Sequence, residues 1–285
     1  MGKLGGYLRL IRPVNCVMMG FAVIVGSALA GSDFFHSWSN LIYGFITGFM
    51  LTGASMVIND FYDREIDAVN EPIRPIPSGL IKPKEALAFA SLLTGTGFAA
   101  SYLTNLPSVL CLLTAIIAWT VFVTYTTVGK RSGLPGNLLV SVCVAIPFVY
   151  GSLALVDEVE LSVLFFAALA FLSNAGREIT KGIVDVKGDK TQGIKTLAVR
   201  YGERTAAIVA SVFYLSAVGL SPLPWFLGIV SFWFIPLVIL TDSGLVFSSV
   251  TLLKSPSREN ARRVKKLVLF WFIIGLFAFI LGSLR

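Results

Sequence analysis

Three aspartates recur at helical spacing in one polar stretch of the sequence, NDFYDREID, which covers positions 59 to 67. At about 100° per residue, Asp60, Asp63 and Asp67 fall on one face of a continued helix. Carboxylates this close raise one another's pKa and destabilise the helix unless a cation or basic groups neutralise them. Mg²⁺ suits this arrangement, because it takes few protein carboxylates and fills its remaining positions with water and substrate phosphate oxygens. The stretch therefore predicts a magnesium site for a phosphorylated substrate.

A second set of charged residues follows the same helical logic further along the chain. These residues share an i, i+3, i+7, i+11 spacing and form one helical stripe: Glu178, Lys181, Asp185 and Asp189. A single acidic residue in either loop could simply be a charge exposed to water at the membrane surface. Two acidic faces at matching positions in two long loops favour a site, because the remaining inner loops are short or purely basic. If the two faces oppose one another, a diphosphate would be held between two Mg²⁺ ions.

Other polar residues are candidates with weaker signals. Arg74, in the turn-rich segment RPIPSG, suits bidentate phosphate binding, but a basic residue next to a membrane span is an equally ordinary explanation. Tyr125 and Lys130 follow an apolar run, where an aromatic-belt tyrosine and a lysine reaching towards water are the alternatives. Asn15 is a substrate-binding candidate inside another run, and hydrogen bonding between helices explains it equally well. The spacing of Gly44 and Gly48 predicts close helix packing.

The elements that must position these residues are membrane spans. The chain is 55% hydrophobic and 14% charged, whereas soluble domains carry about 25% charged residues. A bilayer core about 30 Å thick needs roughly 20 apolar residues. Nine runs approach that length: 14 to 30, 40 to 58, 86 to 104, 108 to 127, 137 to 156, 159 to 176, 205 to 221, 223 to 241 and 266 to 284. The run 244 to 253 is too short to cross and is predicted to be interfacial, and the first run is predicted to be a retained span.

Cysteine and histidine chemistry has little support. Cys16, Cys111 and Cys143 are far apart and lie in or beside apolar runs, which argues against a metal or redox motif. The single histidine, His36, sits between two spans, which argues against histidine acid–base catalysis or a zinc site.

The distribution of basic residues supports the nine-span count and predicts the orientation. With nine spans, 22 of the 23 Lys and Arg residues fall on one side of the membrane. Cytoplasmic loops are enriched in basic residues, so this side is predicted to be the inner one. The N-terminus and the long loops 59 to 85 and 177 to 204 are therefore predicted to be cytoplasmic, and the C-terminus external. The net charge of +7 favours anionic lipids and substrates, and we predict no nucleic-acid partner. The similar starts of the long loops predict a weak four-helix repeat within one domain covering residues 1 to 285.

Four motifs together resemble a known family. They are NDxxDxxxD at 59 to 67, RPIPSG at 74 to 79, YxxxxK at 125 to 130, and DVKGD with GIKTL from 185 to 197. The pattern resembles the UbiA superfamily of intramembrane prenyltransferases over nearly the whole chain. The resemblance implies an all-α bundle of nine transmembrane helices in the cell membrane, with a cytoplasmic active-site cap formed by the loops between spans 2 and 3 and between spans 6 and 7. One departure is Gly182, where relatives often have another acid.

The resemblance also implies residue roles. Carried over by position, Mg²⁺ and the diphosphate would be bound by Asn59, Asp60, Asp63, Asp67, Asp185 and Asp189. Arg74, Tyr125 and Lys130 would hold diphosphate oxygens. Two Mg²⁺ ions and the basic groups would stabilise the charge on the leaving diphosphate, and lipid-buried spans would supply a dry channel for the isoprenoid.

Within the superfamily, the sequence is most similar to enzymes of archaeal ether-lipid synthesis. That branch implies transfer of a geranylgeranyl group to a lipid-like acceptor carrying a glyceryl phosphate. The acceptor phosphate would need further cations, for which the candidates are Lys181, Lys187, Lys190 and Lys195. Two alternatives remain open. The acceptor could be an aromatic ring of quinone or haem synthesis, or the chain could be a cation transporter, although transporter coupling residues usually lie near mid-membrane.

Overall fold

The computed structural model describes residues 2–31, 37–191 and 193–283, and the secondary structure in these ranges is helical, without strands. Within these ranges thirteen α-helices follow one another: α1 (Lys3–Ile11), α2 (Pro13–Ala30), α3 (Trp38–Tyr62), α4 (Arg64–Asn70), α5 (Pro83–Leu103), α6 (Leu110–Thr127), α7 (Leu134–Val156), α8 (Leu161–Thr191), α9 (Leu197–Tyr201), α10 (Glu203–Leu220), α11 (Leu223–Phe226), α12 (Phe234–Lys254) and α13 (Arg258–Ser283). A 3₁₀ turn, Gly129–Ser132, joins α6 to α7.

Nine helical segments in the described part of the chain are long and apolar enough to cross a membrane. They are α2, α3, α5, α6, α7, α8, α10 together with α11, α12 and α13. The predicted all-α, nine-span architecture is therefore confirmed, and the chain is a multi-pass membrane protein. His36, which the sequence placed between spans, lies outside the described residues.

Three predicted spans differ clearly from the structure, one of them the ninth, whose helix α13 begins at Arg258 and not at residue 266. The sixth does not end at residue 176, because α8 continues to Thr191. The eighth prediction, 223 to 241, is wrong, and so is the interfacial assignment of 244 to 253. One helix, Phe234–Lys254, contains the second of these runs. Asp242 lies between these two predicted segments, and a carboxyl group is expensive inside a membrane unless it is hydrogen-bonded. The Ser221 hydroxyl lies 2.6 Å from an oxygen of Asp242 and satisfies it.

One compact unit comprises the chain up to Thr127 together with residues 150 to 158. Glycines bring α2 and α3 close together in it, as the sequence predicted. A Cβ atom at Gly44 would lie 2.9 Å from a methyl carbon of Val23, and one at Gly48 would lie 3.1 Å from the Met19 carbonyl oxygen. The apolar core of this unit packs α1 against α3, α5 and the turn segment before α5. That core supports the first group of candidate residues.

The second compact unit comprises residues 128 to 149 and the chain from Val159 onwards. Helix α8 packs against α10 and α13 there. Gly176 of α8 lies against the ring of Tyr214, whose hydroxyl is 3.0 Å from the Thr180 hydroxyl. Phe166 of α8 contacts Phe279 of α13, with ring centroids 4.3 Å apart. The predicted four-helix repeat stays a prediction.

Candidate active site

The first aspartate motif, which consists of Asn59, Asp60, Asp63 and Asp67, crosses the junction between α3 and α4. Asp63 separates the two helices but keeps a right-handed backbone. The hydrogen bonds from Asp63 N to Asn59 O (2.9 Å) and from Asp67 N to Asp63 O (2.8 Å) continue the helical pattern across it. The three aspartates are only 4%, 9% and 6% exposed. The spacing argument is therefore correct in placing them on one shared face, and that face is buried.

Arginines neutralise this buried carboxylate face. Arg12 Nη2 lies 2.6 Å from Asp60 Oδ1, and Arg74 Nη1 lies 2.5 Å from Asp67 Oδ2 and 3.5 Å from Asp60 Oδ1. The side-chain amide of Asn59 donates to Asp63 Oδ2 at 3.0 Å. Buried charges are tolerated only when they are paired and hydrogen-bonded, so the two arginines are part of the structure of this motif.

The local environment also shifts two pKa values outside the spans. Burial raises the pKa of Asp67 above the usual range, against the opposing effect of Arg74, and the neighbouring carboxylates of Asp63 and Asp60 add to the rise. Burial lowers the pKa of Arg74, but the charges of Asp67 and Asp60 outweigh it and raise that pKa overall. Arg74 therefore keeps its positive charge beside an acidic group whose charged form is disfavoured by burial and favoured by this arginine.

Arg74 is held by the compact turn that follows it. The backbone hydrogen bonds Ser78 N to Arg74 O (3.0 Å) and Ile81 N to Pro75 O (2.9 Å) close this turn. Ile76 and Ile81 are 6% and 0% exposed and belong to the apolar core shared with α1, α3 and α5. The RPIPSG sequence thus anchors its arginine by burying the apolar residues beside it.

The sequence analysis missed Arg12. This residue joins α1 to α2 and has a left-handed backbone, with φ 52° and ψ 71°. A following proline disfavours the right-handed helical region, so Pro13 explains why α1 ends here. Asn15 lies in the first turn of α2, where its backbone N–H donates to Arg12 O at 2.9 Å, and its side chain is partly buried. The signal that could have identified Arg12 is the Arg-Pro step directly before the first span.

The second acidic stripe, which consists of Glu178, Lys181, Asp185 and Asp189, lies on the last turns of α8. Its predicted helical form is confirmed, because α8 ends only at Thr191 and Gly193 follows with φ +67°. Glu178 is 7% exposed, and its carboxylate oxygens lie 3.1 Å from Arg177 Nη1 and 3.3 Å from Lys181 Nζ. Asp185 and Asp189 are partly buried.

Two loop segments of the same unit come together beside Asp189. A Cβ atom at Gly133 would overlap the Lys195 carbonyl oxygen, so the 3₁₀ turn that carries Lys130 packs directly on the segment before α9. The Thr196 side chain and Lys130 lie close enough to Asp189 to favour its charged form. The segment also covers Gly182, whose Cβ atom would lie 3.6 Å from Thr196 Cβ. Tyr125 lies near the end of α6 and is partly buried.

The remaining lysines of the second loop differ from Lys181. Lys187, Lys190 and Lys195 are exposed. A lysine that the sequence analysis did not select, Lys265 of α13, is partly buried and lies within electrostatic range of Asp185 and Lys181. Its distance along the chain from α8 explains why local spacing could not reveal it.

The donor chemistry of the two acidic groups fits Mg²⁺ that is bound together with a phosphorylated substrate. Across the described ranges, no three His, Cys, Asp or Glu side chains are grouped closely enough to hold an ion by themselves. Magnesium does not require such a cage, because one or two carboxylates plus substrate phosphates and waters complete its octahedron. Asp63 and Asp67 in the first motif, and Asp185 and Asp189 in the second, supply the hard oxygen donors it prefers.

Residues 19–274 match the model of the UbiA prenyltransferase family. This match covers most of the chain. The chain therefore belongs to the UbiA prenyltransferase family. It is a membrane-embedded enzyme, and the resemblance stated from the sequence motifs is confirmed.

Individual family members show how far the similarity extends. The chain is 34% identical to digeranylgeranylglyceryl phosphate synthase of Korarchaeum cryptofilum, over 100% of this chain and 99% of that protein. A solved structure of a digeranylgeranylglyceryl phosphate synthase is 33% identical, with 99% of both chains covered and a TM-score of 0.77. A UbiA homologue from Archaeoglobus fulgidus bound to GPP and Mg²⁺ is 18% identical, with a TM-score of 0.62 over 96% of this chain and 99% of that one, and shows the shared UbiA fold.

Proposed function

We propose that this UbiA prenyltransferase transfers a geranylgeranyl group from geranylgeranyl diphosphate to geranylgeranylglyceryl phosphate. The observation that carries the proposal is the 34% identity, over the full length, to a digeranylgeranylglyceryl phosphate synthase. The reaction breaks the bond between C1 of the donor and its diphosphate, and it forms an ether bond between C1 and the glycerol oxygen. Diphosphate is released, and the hydroxyl proton passes to an acidic side chain or a phosphate.

The donor diphosphate is proposed to bind at carboxylates of both acidic groups through Mg²⁺, with two ions. The proposed ligands are Asn59, Asp60, Asp63, Asp67, Asp185 and Asp189. When bound, Mg²⁺ neutralises the charge that develops on the departing diphosphate. The buried setting of the first motif supports this role, because electrostatic interactions are stronger away from water.

The basic and hydroxyl groups beside the carboxylates are proposed to hold diphosphate oxygens. The contact of Arg74 with Asp67 supports this proposal. A guanidinium has five N–H donors, so one arginine can serve carboxylate and phosphate oxygens together. Tyr125 and Lys130 are proposed to act similarly. Asn15 and Glu178 are proposed to support substrate binding indirectly, Asn15 beside Arg12 and Glu178 through its contacts with Arg177 and Lys181.

The spans are proposed to protect the reacting carbon. Departure of an allylic diphosphate leaves a carbocation, which water would quench. The apolar helices accommodate the isoprenoid chain and exclude water from it. We place this chemistry at the cytoplasmic side, with the N-terminus inside, since nearly all basic residues lie at that end of the spans. The segments from α3 to α5 and from α8 to α10 are proposed to form the cap over the site.

The acceptor phosphate is proposed to use at least one of Lys181, Lys187, Lys190 and Lys195. The experiment that tests the acceptor is an assay of the purified protein with geranylgeranyl diphosphate and a panel of acceptors. We expect the highest kcat/KM with geranylgeranylglyceryl phosphate. Faster prenylation of 4-hydroxybenzoate or a naphthoate would contradict this acceptor and favour an aromatic one.

A further inference from the structure

Helix α13 runs antiparallel along α8, and two contacts define their alignment. Arg258 Nε, at the start of α13, donates to the carbonyl oxygen of Val184 at 3.0 Å. Near the other end of α13, Phe279 packs against Phe166. Later residues of α13 therefore lie beside earlier residues of α8. About one third of the way between these contacts, Lys265 comes level with Glu178, given the equal rise of 1.5 Å per residue in both helices.

Lys265 faces the second acidic stripe and its cations. It lies two helical turns beyond Arg258 and so shares the face that Arg258 presents to α8. From there it is within electrostatic range of Asp185, Lys181, Arg177 and Glu178. Its side chain is partly buried, whereas that of the next residue, Lys266, is exposed.

The charges around Lys265 do not balance. Four cations, Arg177, Lys181, Lys265 and Lys130, surround three carboxylates, those of Glu178, Asp185 and Asp189. Clustered cations repel one another, and partial burial strengthens that repulsion because the local dielectric is lower than in water. Glu178 is already held by both Arg177 and Lys181. The excess positive charge therefore suits an anionic ligand.

We infer that Lys265 binds the phosphate of the acceptor and so determines the preference for a phosphorylated acceptor. This inference rests on the proposed function, in which the donor diphosphate already has two Mg²⁺ ions, Arg74 and Lys130. The exposed Lys187 and Lys190 are less suited, because water screens their charge and their side chains lose more conformational entropy on binding. Lys265 is held by helix packing on both sides, since Val264 and Val268 are fully buried.

The first test measures binding without catalysis. In nanodiscs with EDTA and no donor, the dissociation constants of geranylgeranylglyceryl phosphate and of uncharged geranylgeranylglycerol are compared by titration calorimetry. We expect the wild type to bind the phosphorylated lipid more tightly. In Lys265→Met this preference should fall about tenfold or more, because a charge-assisted hydrogen bond to the phosphate is lost. Lys266→Met is the matched control and should retain the wild-type preference. Equal binding of both lipids by the wild type would overturn the inference.

The second test measures kinetics with each substrate varied in turn. Lys265→Met should raise the acceptor KM about tenfold and leave the donor KM unchanged, and Lys265→Arg should recover most of the acceptor affinity because it keeps the positive charge. A selective rise in the donor KM would instead assign Lys265 to the diphosphate. Lys265→Gln, with a similar side-chain shape, replaces the Met variant if that variant fails to fold. Wild-type binding of the phosphorylated lipid without any turnover would contradict the proposed reaction but not the role of Lys265.

Discussion

Arg12 and Asp60 are 48 residues apart in the chain, yet Arg12 Nη2 lies 2.6 Å from Asp60 Oδ1. The contact ties the break between α1 and α2 to the aspartates at the end of α3. It also gives a buried carboxylate the partner that its burial requires. The left-handed backbone of Arg12 is uncommon for a residue other than glycine, and such conformations persist where the surroundings impose them.

Removal of this contact should destabilise the first compact unit. We expect Arg12→Ala to lower the free energy of unfolding by about 1 to 2 kcal/mol, less than the roughly 3 to 5 kcal/mol typical of a fully buried pair. The reduction is moderate because the Arg12 side chain is 37% exposed and Arg74 remains 3.5 Å from Asp60. Thermal unfolding in detergent measures it. Lys84→Ala, an exposed cation at the start of α5, is the control, and equal melting temperatures for both variants would refute the prediction.

Substitution of the proposed metal ligands should abolish turnover without unfolding the protein. We expect Asp63→Ala and Asp185→Ala each to lower kcat at least about 10²-fold, by analogy with the loss of one preorganised electrostatic group. Activity should also disappear with a chelator and return with Mg²⁺. Glu65→Ala is the matched control, because Glu65 lies in the same segment but its side chain is 86% exposed. Full activity in EDTA, or in both aspartate variants, would exclude the two-motif metal site.

The predicted orientation can be tested by cysteine labelling in intact cells. The three native cysteines are first replaced, and Ser78→Cys and Gly188→Cys are then treated with a membrane-impermeant maleimide. We expect no labelling until the cells are opened, because the basic residues place both segments inside. Glu158→Cys, at the exposed turn between α7 and α8, should label from outside. Labelling of the Ser78→Cys variant in intact cells would show that this segment lies outside and would contradict the predicted topology.

The contact between α8 and α10 depends on the small size of Gly176. A Cβ atom there would lie 2.7 Å from the ring of buried Tyr214 and 2.9 Å from the Ala210 carbonyl oxygen. Overpacking costs roughly 1 to 3 kcal/mol, and replacing Gly by Ala gains roughly 1 kcal/mol in helix propensity, so we expect Gly176→Ala to destabilise the protein by up to about 2 kcal/mol. Gly219→Ala, also on a helix but with open space around it, should be neutral or stabilising. A higher melting temperature for Gly176→Ala would contradict this packing argument.

Local sequence properties predicted much of the fold and of the first motif. Length and hydrophobicity identify membrane spans because the bilayer sets both, so most of the nine segments were correct within a few residues. Helical periodicity is equally local, and it placed Asp60, Asp63 and Asp67 on one face. The paired Gly44 and Gly48 likewise predicted a close approach of helices, because nothing larger than hydrogen fits at such a contact.

The tertiary structure decided which distant groups meet these local features. Span eight was misplaced in the sequence, and only the fold shows that the Ser221 hydroxyl donates a hydrogen bond to Asp242, which allows a carboxyl group within a helix long and apolar enough to cross the membrane. Arg12 contacts Asp60, and Lys265 lies near Asp185, although each comes from a distant part of the chain whose position no local spacing encodes. The sequence by itself therefore determined the spans and the helical faces. Helix packing decided the partners of those faces, because the energy of a buried charge depends on neighbours that only the folded chain brings together.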